Sequence, residues 1–142
     1  MPSYSTEHTS NNSKRATRIY KDLDLDFQIN SATKDIQKLT DVESVKRSVR
    51  NLIKLNHYEK PFRPEIGSNL RAMLFENMTP QMNALISRQI EQLIQNYEPR
   101  CRLVQLNVQP DVDRNGYRAS ISFFVVNHPE RVEVETFLER LR

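Results

Sequence analysis

The chain has 142 residues, with 21 Lys and Arg against 18 Asp and Glu, so its formal net charge is +3. This length is typical of about one domain with a real core, and the small positive charge is not diagnostic of nucleic-acid binding. A single cysteine excludes an intrachain disulfide, and two glycines are too few for a glycine-rich phosphate loop. The chain has no long apolar run, so we predict a protein made in a cytoplasm without a signal peptide or membrane helix.

The N-terminal region divides into a polar arm and a candidate strand. Residues 1–20 are rich in Ser, Thr and Asn, and we predict a flexible arm because they carry too little apolar surface to order themselves. Residues 21–142 are then expected to form a single domain. Within it, strict alternation over Leu23–Ile29 predicts a half-buried strand. Asp24 and Asp26 on its polar face lack the glycine-containing ligand loop of a calcium site, so we expect them to be solvated.

Three helices are predicted in the middle of the chain. The first begins at the capping-box pattern Thr40–Glu43, carries an apolar stripe at helical spacing and ends near Asn56, a residue that tolerates a left-handed conformation. A short second helix is capped by Ser68, after a segment that proline and glycine keep from being helical. The third and longest helix is expected over Pro80–Tyr97, with Thr79 as its N-cap.

After the third helix the apolar period becomes that of a strand. Leu103–Gln109 and Tyr117–Val126 alternate, and Asn115–Gly116 can supply the positive φ of a turn, so the sequence predicts a β-hairpin whose first strand ends at Pro110. Val132–Leu141 fits both periods, and we expect a strand that becomes helical at its end. Together the elements predict an α+β fold, with about three helices packed on a small, mostly antiparallel sheet that has a prominent hairpin.

The segment Asn96–Arg100 joins the long helix to the hairpin. Pro99 disfavours helical geometry at Glu98, so the helix is expected to stop near Tyr97. The partial negative charge of a helix C-terminus is unfavourable for Glu98 and favourable for Arg100. Because residues two apart in an extended segment point the same way, the two can form one polar pair; the alternative is a surface turn whose charges are solvated.

The residue types offer no catalytic or metal-binding constellation. His8, His57 and His128 lie in the arm and in two presumed loops, and a metal site would need further ligands. Cys101, at a strand start, is expected to be buried as a small hydrophobe. Carboxylates near helix breaks are the candidates for the acid pair of a glycosidase. They are Glu65, Glu76 and Glu98. We therefore expect no enzyme activity, no cofactor and no metal.

Three motifs occur in order along the chain: Arg63–Leu70, Leu74–Pro80 and Asn96–Arg100. Followed by a hairpin, they resemble the baseplate wedge protein of contractile-tailed phages, the sheath initiator family, whose relatives occur in type VI secretion baseplates. The Glu-Pro-Arg triplet at residues 98–100 is the hallmark of that family. The resemblance covers Asp22–Val126. It implies a structural component of the tail baseplate of a virion, and not the lysozyme that members of this family were once labelled.

The resemblance also implies two contact sites. Glu98, Pro99 and Arg100 would face the core-bundle proteins of the baseplate wedge. The hairpin would pair with the tail sheath protein and start sheath assembly, and a two-stranded sheet with two open edges is marginal alone. Neighbouring hub or tube proteins are further candidate partners, whereas nucleic acid and membranes are not expected. The hairpin residues assigned to the sheath are Val104, Gln105, Leu106, Asn107, Val108, Tyr117, Ala119, Ser120, Ile121, Ser122 and Phe123.

Two other functions stay open on the sequence. A small nucleic-acid-binding module could use Arg15, Arg18 and the basic face of the first helix, although no aromatic residues are interleaved with that face. Its cations are Lys46, Arg47, Arg50 and Lys54. A cell-wall hydrolase would have to use the carboxylates near the helix breaks. Salt-dependent DNA binding would favour the first function, and loss of cell-wall turbidity would favour the second.

Overall fold

The computed structural model describes residues 20–24 and 26–140. In chain order the elements are β1 (Lys21–Leu23), β2 (Lys38–Thr40), α1 (Asp41–Lys54), α2 (Leu70–Met73), α3 (Pro80–Tyr97), β3 (Cys101–Asp111), β4 (Gly116–Val125) and β5 (Arg131–Glu139). Strands β1 and β2 form a small antiparallel sheet, and β3, β4 and β5 form a second one with β4 in the centre. The helices and antiparallel strands of these residues confirm the predicted α+β fold. The predicted N-terminal arm falls almost entirely outside the described residues.

Helix α3 begins and ends where the sequence predicts. Thr79 Oγ1 accepts a hydrogen bond from the Met82 amide at 3.2 Å, which satisfies one of the free donors of the first turn. The helix ends at Tyr97, and the Glu98 amide still donates to a carbonyl of the last turn, at 2.9 Å. The buried side chains of α3 are Ile86, Ile90, Leu93 and Ile94. They belong to the same core cluster as the inward side chains of the large sheet, so α3 packs on that sheet.

Helix α1 begins near the predicted residue, but its first turn is capped by groups other than the predicted ones. Thr40 precedes the helix with φ −122° and its side chain makes no cap hydrogen bond, so the predicted capping box is wrong. Instead, the Asp41 amide donates to the Tyr20 carbonyl at 2.7 Å, and the Asp41 carboxylate accepts from the Tyr20 amide at 3.1 Å. The chain before β1 thus occupies the place of a side-chain cap. The predicted left-handed end at Asn56 is also wrong, because Leu55 ends the helix in an extended conformation.

The predicted strand over Leu23–Ile29 is wrong, because β1 stops at Leu23 and the chain then turns. Phe27 has a φ of 53° and is 69% exposed. The cause is an ion pair that the alternation does not reveal. Arg47 Nη2 of α1 lies 2.7 Å from Asp24 Oδ1 and 2.6 Å from Asp26 Oδ2. Asp24 is buried against the helix by this contact, so the expectation of a solvated acidic face is wrong for it.

The predicted hairpin is confirmed, with β3 and β4 antiparallel along their whole length. The register shifts between Leu103 and Gln105, where one extra residue bulges from β3. Pro110 does not end β3 as predicted, because it lies opposite Tyr117 within the ladder. A proline is tolerated there since β3 is an edge strand, and an edge strand needs no donor on its outer side.

Strand β5 replaces the mixed strand and helix that the sequence predicts for the C-terminal stretch. It pairs with β4 from Gly116 opposite Glu139 to Phe124 opposite Arg131. The helical end is therefore wrong: alternate residues face the core through the end of the strand, and β4 supplies backbone partners along its whole length. The buried residues of β5 are Val132, Val134, Thr136 and Leu138.

A compact loop connects α1 to α2 and is tied to the end of α1. The Ser68 amide donates to the Leu55 carbonyl at 3.0 Å, and Asn56 and Ser68 form an isolated parallel bridge. Gly67 has a φ of 141°, and a Cβ there would lie 2.5 Å from the carbonyl carbon of Asn56. The close approach of the two backbones therefore requires glycine. The Ser68 hydroxyl accepts one long hydrogen bond, at 3.4 Å, from the Leu70 amide at the start of α2.

We expect Gly67→Ala to lower the free energy of unfolding by about 2 kcal/mol or more, because the added methyl group meets backbone and the φ is unfavourable for alanine. Urea unfolding measures the change. Asn127→Gly is the matched control, since Asn127 also has a positive φ, 71°, but is exposed. It should change the free energy of unfolding by at most about 0.5 kcal/mol. Equal effects of the two substitutions would contradict the steric explanation.

Candidate docking site at the end of helix α3

The corner between α3 and β3 is built around the carboxylate of Glu98, a residue that is only 2% exposed. Arg100 Nε donates to Glu98 Oε1 at 2.6 Å and Arg100 Nη2 donates to Oε2 at 2.7 Å, which makes a bidentate pair. The Ser48 hydroxyl of α1 donates a short hydrogen bond to Oε2. The predicted pairing of Glu98 with Arg100 is confirmed, and the alternative of solvated surface charges is wrong.

The electrostatics of the corner favour the ionised pair. Burial by itself would raise the pKa of Glu98, but the hydrogen bonds from Arg100 and Ser48 and the charge of the guanidinium outweigh burial, so this pKa is lowered. The hydrogen bond to Glu98 raises the pKa of Arg100, against the opposing effect of burial. At neutral pH both groups therefore carry their charges, and the carboxylate has donors on both oxygens.

Arg100 keeps part of its hydrogen-bonding capacity. Its Nη1 makes no hydrogen bond to any described residue, and its side chain is 26% exposed. The ring of Tyr20 lies 5.2 Å from the centre of the guanidinium and supports it from one side. Pro99 is exposed beside it. The corner thus offers a partly exposed guanidinium whose Nη1 donors the described residues do not use, and such a group can bind a carboxylate or carbonyl group of a partner.

Sequence reasoning missed two of the residues that build this corner. Ser48 lies at a polar position within the amphipathic stripe of α1, and a serine among buried valines was the available signal. Tyr20 falls in a segment that was assigned to a flexible arm, and nothing local to it indicates a contact with Arg100, which lies 80 residues away in sequence. Both contacts arise only when α1 and β1 pack beside the end of α3.

Among residues 20–24 and 26–140, the hairpin has one edge without a strand partner, and it belongs to β3. Because β4 lies between β3 and β5, the expectation of two open hairpin edges is wrong. The Arg100 carbonyl accepts a hydrogen bond from the Val126 amide at 2.9 Å, so the backbone of Arg100 faces the β4 side. From there, the backbone groups of successive β3 residues point alternately toward β4 and away from it. The bulge adds one residue to β3 and so shifts this alternation by one. Beyond the bulge, the backbone groups of Leu106, Val108 and Pro110 therefore point away from β4. Pro110 fits this phase because its missing N–H faces outward.

The hairpin residues that the family resemblance assigns to sheath contact differ in how exposed they are. Gln105 and Asn107 are exposed on the polar face of the sheet, and Val104 is 49% exposed at the bulge. The β4 side chains with no exposure are Tyr117, Ala119, Ile121 and Phe123. The remaining assigned residues are partly or largely buried: Leu106, Val108, Ser120 and Ser122. A partner can therefore reach β3 by its outer backbone and its exposed side chains, whereas the inward side chains of β4 are not accessible.

The candidate acid residues do not have the properties of a glycosidase pair. A general acid needs a raised pKa, and the pKa of Glu98 is lowered by its engagement with Arg100. Glu65 and Glu76 are exposed in separate turns. Burial and the nearby Glu98 raise the pKa of Cys101 to about 12, so its thiol is not a thiolate nucleophile at neutral pH.

The basic face of α1 is partly neutralised within the chain. Arg47 binds Asp24 and Asp26, and Lys46 lies 2.7 Å from Glu43, which leaves less positive charge for phosphate contacts than the sequence suggests. Among the described residues, no cluster of His, Cys, Asp and Glu could hold a metal ion. None of the described helices combines the length and apolar composition that crossing a bilayer requires.

Comparison with known proteins finds relatives in sequence. Residues 40–130 match the family described as baseplate wedge protein gp25. Over 116 residues the chain is 34% identical to the baseplate wedge protein gp25 of Enterobacteria phage T4, a match that spans 82% of this chain and 87% of the phage protein. The residues that match the family include Ser48, Glu98 and Arg100 of the corner and the whole of β3 and β4.

Solved structures share the fold at lower identity. A Geobacter sulfurreducens protein described as a candidate tail lysozyme superimposes with a TM-score of 0.66 at 17% identity, over 81% of this chain and 96% of its own. A protein of the anti-feeding prophage baseplate superimposes with a TM-score of 0.60 at 22% identity, over 87% and 88% of the two chains. At these identities the likeness concerns the fold and does not transfer an activity.

We expect Glu98→Gln to lower the free energy of unfolding at pH 7 by about 2 kcal/mol, because the amide cannot provide two anionic acceptors for Arg100. Ser48→Ala should cost about 1 kcal/mol. The double variant should cost less than the sum, because both changes act on the same carboxylate. Urea unfolding of the three variants measures these differences, and strictly additive losses would contradict a shared network.

The advantage of the wild type over Glu98→Gln should depend on pH. The pKa of Glu98 in the folded chain lies below its ordinary value of 4.5, so the stabilisation is fully present above that value and is lost as pH falls through the folded pKa. Urea unfolding in steps from pH 7 to pH 3 follows the difference between the two proteins. A difference that stays constant across this range would contradict an ionic contribution.

Proposed function

The chain belongs to the family of baseplate wedge protein gp25, and from this premise we propose that it docks on the wedge by its Glu98 corner and starts the sheath by the outer edge of β3. It is a baseplate wedge protein of a contractile tail and hence a structural part of a virion. The docking surface, the sheath contact and the identity of the partners are what the proposal adds.

The Glu98 corner supports docking on the core bundle of the wedge. Pro99 is exposed, and Nη1 of Arg100 makes no hydrogen bond to any described residue, while Nε and Nη2 each donate one bond to Glu98. Glu98 is buried, so it contributes by positioning Arg100 and not by its own contact with the partner. A guanidinium that is already fixed loses little side-chain entropy on binding, which favours recognition of carbonyl or carboxylate groups on a neighbouring helix end.

The outer edge of β3 supports pairing with the sheath protein by strand addition. Leu106 and Val108 direct their backbone groups outward, and the neighbouring side chains on the polar face, such as Gln105 and Asn107, are uncharged. The other edge of the sheet is less suited, because glutamates line β5 and charge discourages a further strand. They are Glu133, Glu135 and Glu139. We assign the sheath contact to β3, and neighbouring hub or tube proteins are additional candidate partners.

The proposal includes no enzymatic step, cofactor, nucleic acid or membrane. The candidate tail lysozyme among the structural relatives shares only the fold with this chain. The carboxylate of Glu98 is bound by Arg100. Its pKa is lowered, whereas an acid catalyst requires a raised pKa. The observation that carries a structural role is the match of residues 40–130 to the wedge family, together with this internal use of Glu98.

We expect Arg100→Lys to weaken binding to a wedge subassembly that lacks this chain by at least about tenfold, because lysine cannot bind Glu98 by two bonds and still present a planar donor group. Arg102→Lys is the matched control, since Arg102 is exposed and makes no ion pair among the described residues. Quantitative binding and urea unfolding separate docking from stability. Equal binding of the two folded variants would contradict the assigned role of Arg100.

We expect Leu106→Pro to prevent sheath initiation while Leu106→Ala permits it. Both substitutions shorten a half-buried side chain, but only proline removes the outward N–H that a sheath strand would use. Thermal melting of each purified variant checks that it folds. Fresh samples are then incorporated into baseplates and mixed with sheath protein, and the fraction of baseplates that bear sheath is counted. Proline variants that enter baseplates and start sheaths as often as alanine variants would rule out pairing at β3.

A further inference from the structure

The loop between α1 and α2 displays aromatic side chains that the core does not use. Every residue from 58 to 65 is exposed. Phe62 is 102% exposed and Tyr58 is 86% exposed, the highest values among the large apolar side chains of the described residues. Neither the Glu98 corner nor β3 includes this loop, so neither proposed contact accounts for these aromatics.

The loop is held in one conformation by bonds at its base. The Tyr58 amide donates to the Pro64 carbonyl at 3.0 Å, and the Glu59 carboxylate accepts from the Asn56 amide at 2.9 Å. The Tyr97 hydroxyl donates to the Glu65 carbonyl at 2.9 Å. Tyr97 is the last residue of α3, directly before Glu98, so the loop is fixed to the same helix end that carries the docking corner. The aromatics are therefore presented on a preorganised support.

The backbone of the loop is unfavourable for the residues that occupy it. Tyr58 has a φ of 69° and Phe62 has a φ of 66°, in the left-handed region that suits glycine or asparagine and disfavours bulky side chains. Packing of the two rings against the described residues does not compensate for this, because neither side chain is buried. Strain of this kind, combined with exposed aromatic surface, is typical of residues that are kept for binding.

We propose that Phe62 and Tyr58 insert into an apolar pocket on a neighbouring protein subunit of the baseplate wedge. This inference rests on the proposed wedge docking and adds a second contact to it. Aromatic residues are the usual anchors of protein interfaces, because each fills a pocket at a low cost in side-chain entropy. The conformation of the loop is set before binding, so the pocket receives a fixed pair of rings.

The charges of the loop favour a protein pocket over a membrane surface. Arg63 lies 3.6 Å from Glu65, and Glu59 lies 3.7 Å from Arg71, so two of the three cations near the rings are paired with acids. Membrane-binding loops combine aromatics with several uncompensated cations, whereas the charges named here leave an excess of one. Lys60 makes no ion pair among the described residues. The pocket is therefore expected to carry an acidic residue on its rim, opposite Lys60.

The test replaces Phe62 by asparagine, which accepts a left-handed backbone without offering a ring. Phe62→Asn should raise or preserve the melting temperature of the purified chain and reduce binding to the wedge subassembly at least about tenfold. Phe27→Asn is the matched control, because Phe27 is also aromatic, has a φ of 53° and is 69% exposed. It should preserve both the melting temperature and binding.

Four outcomes decide the inference. Weak binding of Phe62→Asn with undiminished stability, beside normal binding of Phe27→Asn, supports it. Normal binding of Phe62→Asn, when Arg100→Lys binds weakly, overturns the loop contact and leaves wedge docking in place. Failure of the wild type to bind the subassembly overturns both. Co-sedimentation of the wild type, but not Phe62→Asn, with anionic phosphatidylserine vesicles identifies a membrane surface and overturns the protein pocket.

Discussion

The contact of the Glu98 carboxylate with the Arg100 guanidinium is the interaction on which the arrangement of this chain depends. A carboxylate at a helix C-terminus faces the negative end of the helix dipole, so it needs compensation by a cation and by hydrogen-bond donors. Arg100 supplies two bonds from the first turn of chain after α3, and Ser48 supplies a third from α1. One buried acid therefore holds α1, α3 and the start of β3 together.

The same contact prepares a surface. A guanidinium that is bound on one side by a carboxylate and supported by the Tyr20 ring has little freedom left, and its side chain stays partly exposed. The proposed docking would combine structural and recognition roles in one residue pair, which is possible because arginine has five donors and Glu98 uses only part of them. In the proposed docking, the buried Glu98 would therefore act through Arg100 and not by its own contact with the wedge.

Several features of the chain are unfavourable in isolation and favourable in an assembly. The outer edge of β3 leaves backbone groups without strand partners, and uncharged side chains do little to protect that edge. Tyr58 and Phe62 combine an unfavourable backbone with exposed rings. Glutamates protect the opposite edge of the sheet, at β5, so the exposure of β3 is selective. In the proposed assembly, the partners of this chain in the baseplate would cover these features.

The sequence alone was sufficient for the elements whose signals are local. Thr79 and Pro80 mark the start of α3, Pro99 limits its end, and the alternation on either side of Gly116 specifies the hairpin, because capping, proline geometry and strand period act over a few residues. The three ordered motifs were likewise enough to indicate the wedge family. Tertiary structure alone decided the contacts between distant segments. Asp24 binds Arg47 instead of continuing a strand, and Asp41 at the start of α1 bonds Tyr20. Strand β5 covers one edge of β4, and Ser48 completes the Glu98 site. These contacts join residues far apart in sequence, and their energies depend on burial and on competing partners that no local pattern records.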